Sequence, residues 1–260
     1  MSPGRYLIVN ADDFGLSAGT NAGIIEAHER GIVTSASLMV RQPAAQEAAE
    51  DARRNPSLSV GLHLDLGEWT MRDGEWGQAY EVVPVEDRDA VAREVRSQLE
   101  AFRQLMQREP THLDSHQHIH RHAPVNAIVT ALGAELRVPV RDFTPAIAYR
   151  GDFYGQGHKC AAFPEGITVE NLIAMFHLLP PGITELSCHP GADESLDSTY
   201  RSERLIEAAT LCDPRLRAEL NAGGIRLVPF ADMPWGCVPE GMKKIKFKEN
   251  FQRRIDYEPL

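Results

Sequence analysis

Five of the ten histidines fall within residues 112–122, in the run Thr111-His112-Leu113-Asp114-Ser115-His116-Gln117-His118-Ile119-His120-Arg121-His122. If this run begins as a strand, His112, Asp114 and His116 share one face while Leu113 and Ser115 take the other. Three further clusters have the same character: Asn10-Ala11-Asp12-Asp13, Gly61-Leu62-His63-Leu64-Asp65 and Ser187-Cys188-His189-Pro190-Gly191. Taken alone, each has a plain reading, a histidine-rich solvated loop in one case and a turn with a helix cap in another. Together they offer imidazoles and carboxylates from four separate places. Two neutral imidazoles and one carboxylate, with positions left for water, suit zinc and other divalent first-row ions. An ion held in that way polarises a carbonyl and makes hydroxide accessible near neutral pH.

Such a gathering needs elements that bring the four clusters to one place. Short apolar or β-branched runs predict strands over 6–10, 35–40, 59–64, 112–115, 138–141, 183–188 and 225–228. Helical periodicity lies between them, over 18–30, 44–54, 87–107, 124–136, 169–179, 202–212 and 214–222. It is clearest where Val91, Val95, Leu99, Phe102 and Met106 form one stripe. Strands alternating with helices make parallel βα units, and this number of them predicts an α/β fold, a distorted (β/α) barrel of seven to eight mostly parallel strands. In that barrel the C-terminal ends of all strands open onto one mouth, and all four clusters sit where a strand runs out. A doubly wound open sheet is the other arrangement of such units, but no glycine-rich nucleotide loop follows the first strand. Two stretches fall outside the βα pattern, 67–84 with Trp69, Trp76 and Tyr80, and 144–166 with Phe153 and Tyr154. Both read as long functional loops whose aromatic faces could stack on a ring.

The 260 residues, 43% apolar and 25% charged, exclude a disordered chain and support a core that needs no crosslinks. A net charge of −10 argues against nucleic acid or an anionic membrane as partner. The four cysteines form no Cys-x-x-Cys pair, as expected of reduced thiols in a cytoplasmic protein. No apolar run approaches a membrane span or the core of a signal peptide. Residues 1–235 read as one catalytic domain and 236–260 as a basic, apolar tail that holds four of the five lysines. Because Ile245, Phe247, Phe251 and Ile255 are interleaved with those charges, the tail is expected to pack on an acidic surface of its own barrel or of a second subunit in a homodimer.

In order and spacing, the segments LIVNADDFGLSAGTNAGI (7–24), GIVTSASLMV (31–40), GLHLDL (61–66), THLDSHQHIH (111–120), GDFYGQ (151–156) and ELSCHPG (185–191) resemble the YdjC-like carbohydrate deacetylases. This family includes chitooligosaccharide and hopanoid-associated members. The resemblance runs from Tyr6 to about Met233 and implies a distorted (β/α) barrel with one divalent metal ion. It also implies hydrolysis of the acetamido group of an N-acetylglucosamine-type sugar. Carried over, it makes Asp13, His63 and His116 the metal ligands, Asp12 the general base for the attacking water and His189 the acid that protonates the leaving amine. The roles of Asp12 and Asp13 could exchange if Asp12 points into the barrel. Arg141 resembles an arginine that holds the base in related polysaccharide deacetylases. His118, Phe153, Tyr154 and Trp69 are candidate substrate contacts, His118 also a support for a ligand. The ligand type favours Zn²⁺, while the family is commonly described with Mg²⁺. A deacylase of a non-sugar amide or ester and a non-catalytic sugar-binding barrel are the alternatives.

Overall fold

The computed structural model describes residues 4–72, 74–192 and 198–233, so the basic tail lies outside the described residues. Among the described residues there are nine strands: β1 (Arg5–Phe14), β2 (Ser35–Leu38), β3 (Ser59–Leu64), β4 (Gly67–Arg72), β5 (Glu75–Glu81), β6 (Leu113–Ser115), β7 (Ile147–Arg150), β8 (Gly182–Cys188) and β9 (Ile225–Leu227). The helices are α1 (Ala18–Glu29), α2 (Ala45–Arg54), α3 (Arg88–Met106), α4 (Val125–Leu136), α5 (Val169–His177), α6 (Ser202–Leu211) and α7 (Pro214–Ala222). Seven strands form one all-parallel sheet in the order β6-β3-β2-β1-β8-β7, with β9 paired to the start of β1. This is the expected α/β barrel type, curved but incomplete.

Strands β2, β3 and β6 and most of β1 are buried on both faces, and β1 shows why. Leu7, Val9 and Ala11 join the apolar cluster shared with the helices, whereas Asn10 and Asp12, on the other face, make hydrogen bonds across the barrel interior. Helix α3 begins where the Asp87 carboxylate accepts the N–H groups of Asp89 and Ala90. Its stripe of Val91, Val95, Leu99, Phe102 and Met106 is buried, and each such side chain contributes roughly 1.5–3 kcal/mol by leaving water. At the N-terminal end of the barrel the residues after β9 act as a plug. The Phe230 N–H donates to Ser35 Oγ, that of Ala231 to Ser59 Oγ, and the Phe230 ring stacks on His112 with centroids 3.9 Å apart.

Three expectations about elements need correction. Residues 138–141 supply only one bridge, Leu113 to Val140, because Pro139 has no N–H for a ladder and Asp142 turns the chain at φ 65°. The strand beside β8 is instead β7, inside the stretch read as loop; its four residues are too few to show a period. The stretch after β3 contains the antiparallel hairpin β4–β5. Its second strand is almost entirely exposed, so no apolar alternation marks it in the sequence. Among the described residues no helix is long and apolar enough to cross a membrane.

Candidate metal centre

The site begins with an irregularity in β1. Ala11 lies opposite Ala36 and Phe14 opposite Leu38, so Asp12 and Asp13 together face the single residue Ser37 of β2. Regular alternation would send adjacent side chains to opposite faces; a bulge lets both reach the mouth. Asp13 sits at φ 65°, a conformation that aspartate tolerates better than most residues.

Asp13 Oδ1 is 3.4 Å from His63 Nε2 and 3.2 Å from His116 Nδ1. Ligands on one ion at bond lengths of about 2.0–2.2 Å stand roughly 2.8–3.6 Å apart, from octahedral to tetrahedral angles. One ligand atom from each of the three residues lies within 4.8 Å of the others, so the donor set fits a divalent ion. The supporting contacts fix the orientation. His63 Nδ1 meets Asp114 Oδ1 at 2.8 Å, which turns Nε2 toward Asp13. Arg204 Nη2 donates to the other Asp13 oxygen at 2.6 Å.

Burial alone would raise the Asp13 carboxyl, but the Arg204 guanidinium and the hydrogen bonds from His116 and His63 hold it well below the usual carboxylate range. Burial also opposes a charge on His63, yet Asp114 and Asp13 raise the imidazole to about 10. In the metal-free protein a proton on His63 therefore takes the place of the cation. Because a metal needs the Nε2 lone pair, its uptake between pH 7 and 9 is expected to release about one proton per ion from His63, falling toward none above pH 10. Calorimetry in buffers of different ionisation enthalpy measures that number. A count of zero at pH 7.5 would exclude a protonated His63 as the resting state.

Asp12 lies beside this set. Arg141 donates to both of its carboxylate oxygens at 2.7 Å, and Asn10 Nδ2 donates to Oδ1 at 2.8 Å. The same guanidinium reaches Asp114 at 2.8 Å and Glu185 at 2.7 Å, so one fully buried arginine spans three carboxylates. Burial pushes Glu185 up to about 8 despite this contact. Below it runs a directed chain in which the Thr111 hydroxyl donates to His112 Nδ1, His112 Nε2 to Ser37 Oγ, and Ser37 to Asp114 at 2.7 Å. Burial lowers His112 to about 4, so this imidazole stays neutral and the chain keeps its direction.

On the opposite wall, His189 Nε2 is 3.9 Å from Asp12 Oδ2. Its backbone N–H donates to the buried Glu207, which also accepts the Tyr200 hydroxyl. Burial outweighs the pull of Asp12 and Asp13 and lowers the His189 imidazole to about 4. Tyr154 meets His189 edge-on at 5.5 Å and stacks on Tyr200 at 4.4 Å.

The structure thus brings Asp12, Asp13, His63, His116, Arg141, His189 and Tyr154 together. His118 is close by, its Nε2 3.3 Å from the Tyr149 hydroxyl. Trp69 and Trp76 are exposed on the hairpin, but Phe153 is fully buried in the apolar core. Phe153 cannot present a face to a sugar; it pins its loop. Arg204, Glu185, Glu207 and Glu68 were missed. For Arg204 and Glu207 the available signal is a charged pair, three residues apart, on the same face of α6 as Ala208 and Leu211.

A family model described as YdjC-like protein matches residues 6–222. The chain belongs to the YdjC-like family. It is 36% identical over 249 residues to a carbohydrate deacetylase of Geobacillus stearothermophilus, covering 88% of this chain and 98% of that one. It is also 36% identical over 259 residues to a chitooligosaccharide deacetylase of Klebsiella pneumoniae (strain 342), covering 88% and 99%. A crystal structure from Enterococcus faecalis V583, of a protein provisionally assigned to cellobiose-phosphate cleavage, superposes with a TM-score of 0.69 at 23% identity, covering 89% and 99%. That likeness supports the fold of this YdjC-like chain.

Proposed function

We propose that this YdjC-like protein is a metal-dependent deacetylase that hydrolyses the acetamido group of an N-acetylglucosamine-type sugar, giving acetate and a free amine. The observation that carries the reading is the pairing of the Asp13–His63–His116 donor set with Asp12 and His189, whose facing atoms are 3.9 Å apart. Two YdjC-like relatives named for carbohydrate and chitooligosaccharide deacetylation support it.

A divalent ion held by Asp13, His63 and His116 would polarise the acetyl carbonyl and acidify water, and the two imidazoles favour zinc over magnesium. In this reading Asp12 accepts the proton of the attacking water, while Arg141 and Asn10 hold its carboxylate in place. His189 rests neutral, so it acts as an acid only after receiving a proton. The short gap from Asp12 Oδ2 to His189 Nε2 lets the water's proton pass to the leaving nitrogen, balancing the reaction. A cytoplasmic location and a homodimer belong to the same proposal, supported by cysteine usage and by the composition of the tail.

The direct test is acetate release from N-acetylglucosamine and its short oligomers by protein loaded in turn with Zn²⁺ and Mg²⁺. Equimolar amine and acetate are expected. Sugar binding without acetate from any of these substrates would favour the binding-protein alternative.

A further inference from the structure

Glu68, the second residue of β4, lies outside the three-ligand set but faces it. His116 turns Nδ1 toward Asp13 Oδ1, the same oxygen that faces His63 Nε2, so Nδ1 is the nitrogen with its lone pair toward the ion. With the ion bound, the hydrogen that Nδ1 offers Asp13 in the metal-free protein is displaced, and Nε2 carries the ring hydrogen. Nε2 is buried and has no hydrogen-bond partner among the described residues, and Glu68 Oε2 stands 3.9 Å away. The other ligand imidazole has no such deficit, because Asp114 already meets His63 Nδ1 at 2.8 Å.

The hairpin holds Glu68 where it is. The Trp69 N–H donates to Gln117 Oε1 at 2.9 Å and Gln117 Nε2 donates back to the Trp69 carbonyl at 2.6 Å. Each half of this clamp adjoins one member of the Glu68–His116 pair. At the base of the hairpin Tyr80, paired across the ladder with Glu68, donates its hydroxyl to Asp65 at 2.9 Å. Gln42 donates to Asp65 and to the Tyr80 hydroxyl, tying both to the barrel.

We infer that Glu68 is a positioning residue of the metal centre, accepting the Nε2 hydrogen of His116 as Asp114 accepts that of His63, and that hairpin β4–β5 is therefore part of the centre's support. The inference rests on the three-ligand reading above. An outer carboxylate of this kind orients the ring and strengthens it as a ligand; its loss typically costs about 10–100-fold in metal affinity.

The experiment uses the full chain, stripped of metal and titrated with Zn²⁺ against a chromophoric chelator. Glu68→Ala is expected to bind zinc about 10–100-fold more weakly than wild type, and Glu68→Gln, which keeps an acceptor oxygen but no charge, to lose less. In the zinc-loaded wild-type protein, ¹⁵N-histidine spectra should show His116 metallated at Nδ1 and protonated at Nε2, a readout that depends on no variant folding. Metallation at Nε2 overturns the inference. So does wild-type zinc affinity in Glu68→Ala while His116→Ala has lost the ion, and in that case the three-ligand reading stands. If His116→Ala binds zinc as well as wild type, the three-ligand reading itself fails.

Discussion

His116→Ala is expected to lose both the metal ion and all measurable deacetylation. Among the two imidazole ligands His116 is the better one to remove. Its side chain is 13% exposed and adjoins a mouth that water can enter, whereas deleting the buried ring of His63 would open a cavity in the barrel interior and take from Asp114 Oδ1 its 2.8 Å partner. A lost hydrogen bond to a buried charge costs about 1.5–3 kcal/mol, and with the cavity it would confuse a site effect with a folding effect. With Asp13 and His63 alone, two protein ligands remain, one fewer than a catalytic zinc site uses. The check is metal content after equilibration with one equivalent of zinc, beside acetate release and the melting temperature of the metal-free protein. Full metal occupancy in a folded variant would remove His116 from the ligand set.

Asp12→Asn is expected to keep the ion and lower kcat by about 10²–10⁴-fold, the scale for removing a general base. The amide accepts from Arg141 at one oxygen only and sets its NH2 against the other N–H, while that guanidinium keeps its contacts to Asp114 and Glu185. Asp13→Asn makes the matched comparison. Asparagine accepts the φ of 65° at this position without strain, so a loss of metal there reports the missing charge and not a broken backbone. Should Asp12→Asn shed the ion while Asp13→Asn retains it, the two roles are exchanged.

Much of this site was legible because a parallel barrel turns sequence position into spatial position. A polar cluster that ends a strand must sit at the mouth, whichever strand it ends, so Asp13, His63, His116 and His189 could be grouped before any distance was known. Charges that arrive from the side left weaker marks. Arg204 reaches Asp13 across 191 residues of separation from a helix that looks ordinarily amphipathic, and Glu68 comes from a hairpin without apolar rhythm. Arg141 lies against Asp12, although the strand expected to carry it reduces to a single bridge. Phe153 shows the opposite failure. A loop rich in aromatic residues suggests a binding surface, yet a long loop also needs an apolar anchor, and composition alone does not separate the two uses.

The extra residue in β1 also bears on how activity can be gained or lost along a lineage. Two residues there face one residue of β2, so deletion of a single codon, that of Asp13, would restore one-to-one pairing through Phe14 without asking anything new of the sheet. The resulting barrel would keep Asp12 on Arg141, His189 on Glu207 and the exposed tryptophans of the hairpin, but it would lack the Asp13 carboxylate that faces both His63 and His116. The three-residue donor set is therefore separated from a barrel without it by a frame-preserving deletion of three nucleotides.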